Sequence, residues 1–110
     1  MKTLRDPKRR PTHPGAVLRE DVLPALGMTQ NDFADLLGVH RVTLSALLRE
    51  RRGLTVEMAA RIAKALGHSP ESWLRMQEAL DLWELRQHPE RLADVRPIKA
   101  RRRTTDAVPA

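Results

Sequence analysis

The chain has 110 residues, 41% of them hydrophobic, no cysteine and a formal charge of +6. That length fits one compact all-α domain with tails and is too short for two independent cores. The lack of cysteine excludes disulfides, thiolate zinc sites and a cysteine nucleophile. No stretch approaches the roughly 20 apolar residues of a membrane span. The basic start, Met1 to Arg10, lacks the unbroken apolar run of a secretory signal. The expected compartment is the cytoplasm.

Every patterned segment has helical spacing, and no period-2 alternation is long enough for a strand. His13-Pro14-Gly15 opens a first helix, in which Val17, Leu18, Val22 and Leu26 recur until Pro24 and Gly27 disrupt it. Thr29 caps a short second helix whose Thr29-Gln30-Asn31-Asp32 start resembles a capping box, and Gly38 ends it. A third helix is predicted from His40 to Glu50, with Leu44, Leu47 and Leu48 inward and Arg51-Arg52-Gly53 after it. Thr55 caps a fourth that carries Val56, Ala59, Ala63 and Leu66 on one face and stops at Gly67. Ser69 and Pro70 read as the cap and first position of a fifth, ending near Arg86. That helix has apolar residues on two sides, Trp73, Met76, Leu80 and Trp83 on one and Leu82 and Leu85 on another, which implies two neighbours. One is the core. The other is expected to be a second copy of the chain, with Trp73, Leu80, Leu82, Trp83 and Leu85 as the dimer interface, although both tryptophans filling one core also fits.

The chain thus divides into a basic arm at 1–12, a helical domain at 13–87 and a basic, loosely ordered tail at 88–110, the last including Lys99-Ala100-Arg101-Arg102-Arg103. Residues 1–10 hold five Lys/Arg against Asp6, and residues 88–110 hold six against three acids. The middle is near neutral, but Val39 to Gly53 has Arg41, Arg49, Arg51 and Arg52 against Glu50 alone. Clustered cations of this kind suit a duplex, whose phosphates release counterions on binding.

Counting from Gln30, apolar residues fall at the fourth, eighth, tenth, fifteenth and eighteenth positions, Phe33, Leu37, Val39, Leu44 and Leu47. Ala34 is small enough for two helices to touch, and Gly38 permits the turn between them. This is the pattern of a helix-turn-helix unit over 30–49. Its second helix would enter the major groove and expose His40, Arg41, Val42, Thr43, Ser45, Ala46 and Arg49. Arg41 leads as base reader, since a guanidinium pairs bidentately with guanine. Val42 or Ala46 suits a thymine methyl, while Thr43 and Ser45 suit bases, phosphates or plain solvent exposure. Gln30, Arg49, Arg51 and Arg52 are expected to hold phosphates and so to position the protein without specifying sequence. The histidines His13, His40, His68 and His88 have no metal-ligand spacing and read as caps or surface residues. With no glycine-rich phosphate loop and only helix-surface acidic pairs, Glu20-Asp21 and Asp81/Glu84, the chain reads as no enzyme, without cofactor or small-molecule substrate.

Positions 13–82 resemble the HigA/VapI family of antitoxins, a branch of the Xre (lambda-repressor-like) helix-turn-helix proteins. The resemblance rests on His13-Pro14-Gly15 with Leu18-Arg19-Glu20, Leu26-Gly27-Met28-Thr29-Gln30 and Leu36-Leu37-Gly38-Val39. It continues in Arg49-Glu50-Arg51-Arg52-Gly53-Leu54-Thr55 and in Ser69-Pro70-Glu71-Ser72-Trp73-Leu74 with Gln77 and Asp81-Leu82. It implies a five-helix lambda-repressor-like domain, a homodimer, a palindromic double-stranded operator in the chain's own promoter, and neutralisation of a HigB-type toxin. That toxin would be a RelE-like ribonuclease that cuts messenger RNA on the ribosome. Ser45 departs from the Asn of many relatives, and the tail after Arg86 has no family pattern. A stand-alone repressor of the same fold, or an interaction module that has lost DNA binding, are the other readings of these residues.

Overall fold

Caps and glycines set the limits of the helices. In the computed structural model, which describes residues 8–98, five helices carry the fold, and no strand occurs among the described residues. Helix α1 runs through three contiguous stretches, Pro14–Val17, the π-helical Leu18–Val22 and Leu23–Leu26. His13 caps it, its Nδ1 accepting from the Gly15 N–H at 2.9 Å. Burial, opposed by the Glu50 carboxylate, holds the His13 imidazole below its ordinary pKa and favours the neutral ring that can accept. Pro24 does not break the helix as the sequence predicts. It has no N–H for the Glu20 carbonyl, and the wider π stretch, where the Leu23 N–H reaches back to the Leu18 carbonyl, absorbs the mismatch. The helix ends at Gly27, the other residue expected to disrupt it.

Helix α2 is Gln30–Leu37, with Thr29 Oγ1 accepting from the Asp32 N–H at 3.1 Å. It stops at Gly38, whose φ of 73° is one that side chains rarely adopt. Helix α3 is Arg41–Leu48, shorter at both ends than the predicted His40 to Glu50, because His40 is its N-cap and Arg49 its C-cap. Helix α4, Val56–Leu66, is capped by Thr55 as predicted. Helix α5, Glu71–Arg86, starts one residue after Pro70 with no side-chain cap, so Ser69 does not cap it as expected. Beyond it lies a 3-10 turn, Pro89–Leu92, at the start of the tail, with none of its residues buried. Residues 1–7 of the basic arm and 99–110 of the tail, with Lys99-Ala100-Arg101-Arg102-Arg103, lie outside the described residues.

The core joins Leu18 and Leu23 of α1, Phe33, Ala34 and Leu37 of α2 and Leu44, Leu47 and Leu48 of α3 to α4 and Trp73 of α5. From α4 it takes Met58, Ala59, Ile62 and Ala63. Val56, predicted on that inner face, is exposed in the open first turn of the helix. All three leucines of α3 turn inward, so its opposite face is left to solvent.

The contact that seats α3 is one of backbone on backbone. A Cβ placed on Gly15 would overlap the Leu47 carbonyl of α3, so α1 approaches as closely as it does only because residue 15 is glycine. The His13-Pro14-Gly15 signature therefore supplies a cap, a first-turn proline and a bare Cα for docking α3. Gly15→Ala should destabilise the domain by about 2–3 kcal/mol, the upper part of the overpacking range, and lower the thermal midpoint by about 10 °C or more. Thermal unfolding followed by circular dichroism checks this, and an unchanged midpoint would contradict the contact.

Candidate nucleic-acid interface

The unit that faces outward is the α2–α3 pair. The chain reverses between the helices through bonds from the Gly38 N–H to the Asp35 carbonyl at 3.1 Å and from the Val39 N–H to the Ala34 carbonyl at 3.0 Å. Ala34 is buried, as the close approach of two helices requires. Phe33, Leu37, Leu44 and Leu47, the other members of the predicted pattern, are buried and Val39 is packed against the core.

On the solvent side, an open concavity of about 430 Å³ lies between the start of α2 and the length of α3. Its lining gathers Gln30, Arg41, Val42, Ser45, Ala46, Arg49 and Arg51, seven of the ten residues that sequence reasoning selected for DNA contact, together with Asn31, which it missed. Asn31 follows Gln30 in the same helical turn, and that position was the only signal for it. His40 is not in α3: its Nδ1 accepts from the Val42 N–H at 3.4 Å, and its ring lines a neighbouring hollow with Asn31, Asp35, Val39 and Arg41. Thr43, half-buried, and Arg52, exposed, line neither.

Three guanidinium groups and two helix N-termini converge on this concavity, and no acidic side chain lines it. The first turn of α3 holds no acid, so the positive end of its dipole adds to Arg41. Val42, 66% exposed, gives the floor an apolar patch between the cations. Such a surface attracts a polyanion and can make both polar and methyl contacts.

Long side chains from the other helices hold this face in place, and sequence reasoning gave none of them that role. Arg19 of α1 donates to the Leu48 carbonyl at the end of α3 at 2.6 Å and to Glu50 at 3.2 Å. Arg10 reaches Glu50 at 3.4 Å and Glu84 of α5 at 3.7 Å. Arg61 of α4, braced by Glu57, donates to the Leu37 carbonyl at the end of α2 at 3.0 Å. Gln77 of α5 accepts from the Leu54 N–H at 2.8 Å and donates to Asp81, which fixes the loop after the basic turn. Burial pushes the Glu50 carboxyl up, but the hydrogen bonds from Arg19 and Arg10, with the Arg19 charge, outweigh it and hold the group below its ordinary value. Arg19, Glu50, Gln77 and Asp81 left a sequence signal only as members of the motifs around them, and Arg61 left none.

Of the residues expected at a dimer face, Trp73 and Leu80 are 4% and 2% exposed within the single chain, Trp73 as part of the core, so the structure leaves neither open to a partner. Leu82 is exposed, and Trp83 and Leu85 are half-buried. Among the described residues no helix is long and apolar enough to cross a membrane.

Comparison with known proteins agrees with this geometry. A helix-turn-helix family model matches residues 18–74. Antitoxin HigA-1 of Vibrio cholerae is 40% identical over 96 residues, which cover 86% of this chain and 90% of that protein. An HTH-type transcriptional regulator of Haemophilus influenzae is 39% identical over 101 residues, covering 88% of this chain and 94% of its own. Among solved structures, antitoxin GraA in complex with its operator is 36% identical, with a TM-score of 0.73 over 89% of this chain and all of that one. With the α2–α3 unit and its surrounding helices in place, the chain belongs to the HigA/VapI family of the Xre-type helix-turn-helix proteins.

Proposed function

We propose that this chain is an antitoxin that represses its own operon by binding a palindromic operator as a dimer and neutralises a HigB-type, messenger-RNA-cleaving toxin in the cytoplasm. The observation that carries the DNA-binding part is the concavity where Arg41, Arg49 and Arg51 meet Gln30 at the start of α2. In this reading α3 lies in the major groove, Arg41 reads a guanine, and Gln30, Arg49, Arg51 and Arg52 hold phosphates. His40, as the cap of α3, lies at the helix end that enters the groove, and Thr43, half-buried in α3, serves as a lesser contact. The operator complex of GraA supports the reading through the shared fold.

The dimer places two copies of α3 about 34 Å apart, one helical turn of DNA. Leu82, Trp83 and Leu85, the apolar side of α5 left open by the protomer, form its interface. The toxin part rests on the similarity to HigA-1 and GraA, both named antitoxins. A repressor without a toxin is the second reading, favoured by the similarity to the Haemophilus regulator.

Arg41→Ala should narrow the gap between operator and random duplex by about 1–3 kcal/mol. Arg51→Ala should weaken both alike and flatten the dependence of log K on log salt by about 0.9. Fluorescence anisotropy over a salt series separates the two effects, and an equal loss from Arg41→Ala on all sequences would contradict its reading role. For the toxin, the small protein encoded beside this gene should arrest growth when expressed alone, and co-expression of this chain should restore growth with a complex that co-purifies. No arrest and no complex would leave the repressor reading in its place.

A further inference from the structure

We propose that Glu50 is a positioning residue for DNA recognition: its carboxylate, tethered to Arg19 and Arg10, holds the left-handed turn that carries Arg51 into the concavity beside Gln30 and Arg49. The inference rests on the DNA-binding reading of that concavity.

Three observations lead to it. Glu50 has a φ of 63° and is the one non-glycine residue in that region among the described residues. A side chain there strains the backbone where glycine would not, so contacts of the side chain must hold the conformation.

Second, the turn has the hydrogen bonds of a Schellman cap. The Arg51 N–H reaches the Ala46 carbonyl at 2.8 Å, and the Glu50 N–H reaches the Leu47 carbonyl at 3.0 Å. This wrap folds the chain back along α3, and Arg51 therefore lines the same hollow as residues one and two turns earlier in the helix.

Third, the carboxylate points away from that hollow. Its side chain is 26% exposed, with Oε2 at 3.2 Å from Arg19 Nη1 and Oε1 at 3.4 Å from Arg10 Nη1. Arg19 uses the same Nη1 on the Leu48 carbonyl, so helix end and turn share one anchor. In the run Arg49-Glu50-Arg51-Arg52, the sole acid is thus drawn inward while its basic neighbours stay exposed. A carboxylate facing outward from this turn would repel phosphates. Facing inward, it organises the cations that attract them.

The test compares Glu50→Gln and Glu50→Gly, each alone and combined with Arg51→Ala, by anisotropy with a duplex from the chain's own promoter over a salt series. Glu50→Gln removes the charge and keeps the shape, whereas Glu50→Gly also removes the backbone strain and so protects against simple misfolding. Glu50→Gln should bind the duplex several-fold more weakly than wild type, with a salt slope shallower by about 0.9, whereas Glu50→Gly, which takes the left-handed turn without strain and still carries Arg51 into the hollow, should bind more nearly as wild type does. In the Arg51→Ala background neither should have a further effect, because Glu50 acts through Arg51. A merely structural role would leave the slope unchanged and add in full to Arg51→Ala, and that result would overturn the proposal. So would wild-type binding by Glu50→Gln while Arg51→Ala is impaired, with the DNA-binding reading left intact. Salt-independent or absent binding by the wild-type chain would overturn both.

Discussion

Helix α3 is seated by a contact in which two backbones touch. Glycine at position 15 lets α1 lie against the Leu47 carbonyl, and the three leucines of α3 can then all reach the core from one short helix. Close packing makes this arrangement stiff, since interiors of this density resist even a one-methylene change. Stiffness matters on the other face. Eight helical residues with their inward side locked present their outward side in one orientation, and a base-reading side chain is useful only if its direction does not wander.

Electrostatics completes what packing begins. The ends of α2 and α3 are fastened by guanidinium groups, Arg61 on the Leu37 carbonyl and Arg19 on the Leu48 carbonyl. Charged donors suit these positions because the carbonyls at a helix C-terminus have no partner within the helix and carry the negative end of its dipole. The same chemistry divides the arginines into two groups. Arg10, Arg19 and Arg61 are taken up by carboxylates and carbonyls of the fold, whereas Arg41, Arg49 and Arg51 line the open concavity. Net charge alone does not separate these groups, and Glu50 is the residue at which they meet.

The fold was legible in the sequence because each boundary rests on local chemistry. Thr29 and Thr55 cap the helices they were expected to cap, and the apolar spacing from Phe33 to Leu47 points inward as its period requires. Expectations failed where a local rule met a tertiary constraint. Pro24 breaks an isolated helix but is absorbed by a π turn, and Ser69 is a good cap by composition that the geometry leaves unused. Trp73 and Leu80 looked available for a partner because periodicity does not tell which of two apolar sides the protomer itself covers. The outward face of α3 was legible residue by residue, since the inward leucines define it. The tethers formed by Arg10, Glu50 and Gln77 were not, because they join positions that lie far apart in the chain.

The central claim is that the α2–α3 concavity is the surface that meets DNA. An NMR titration of the labelled chain with its own promoter duplex tests it most directly. The account predicts that amide shifts concentrate on Gln30, Asn31, residues 41–49 and Arg51, and shrink as salt is raised. Shifts confined to α4 and α5, with α3 unmoved, would contradict it.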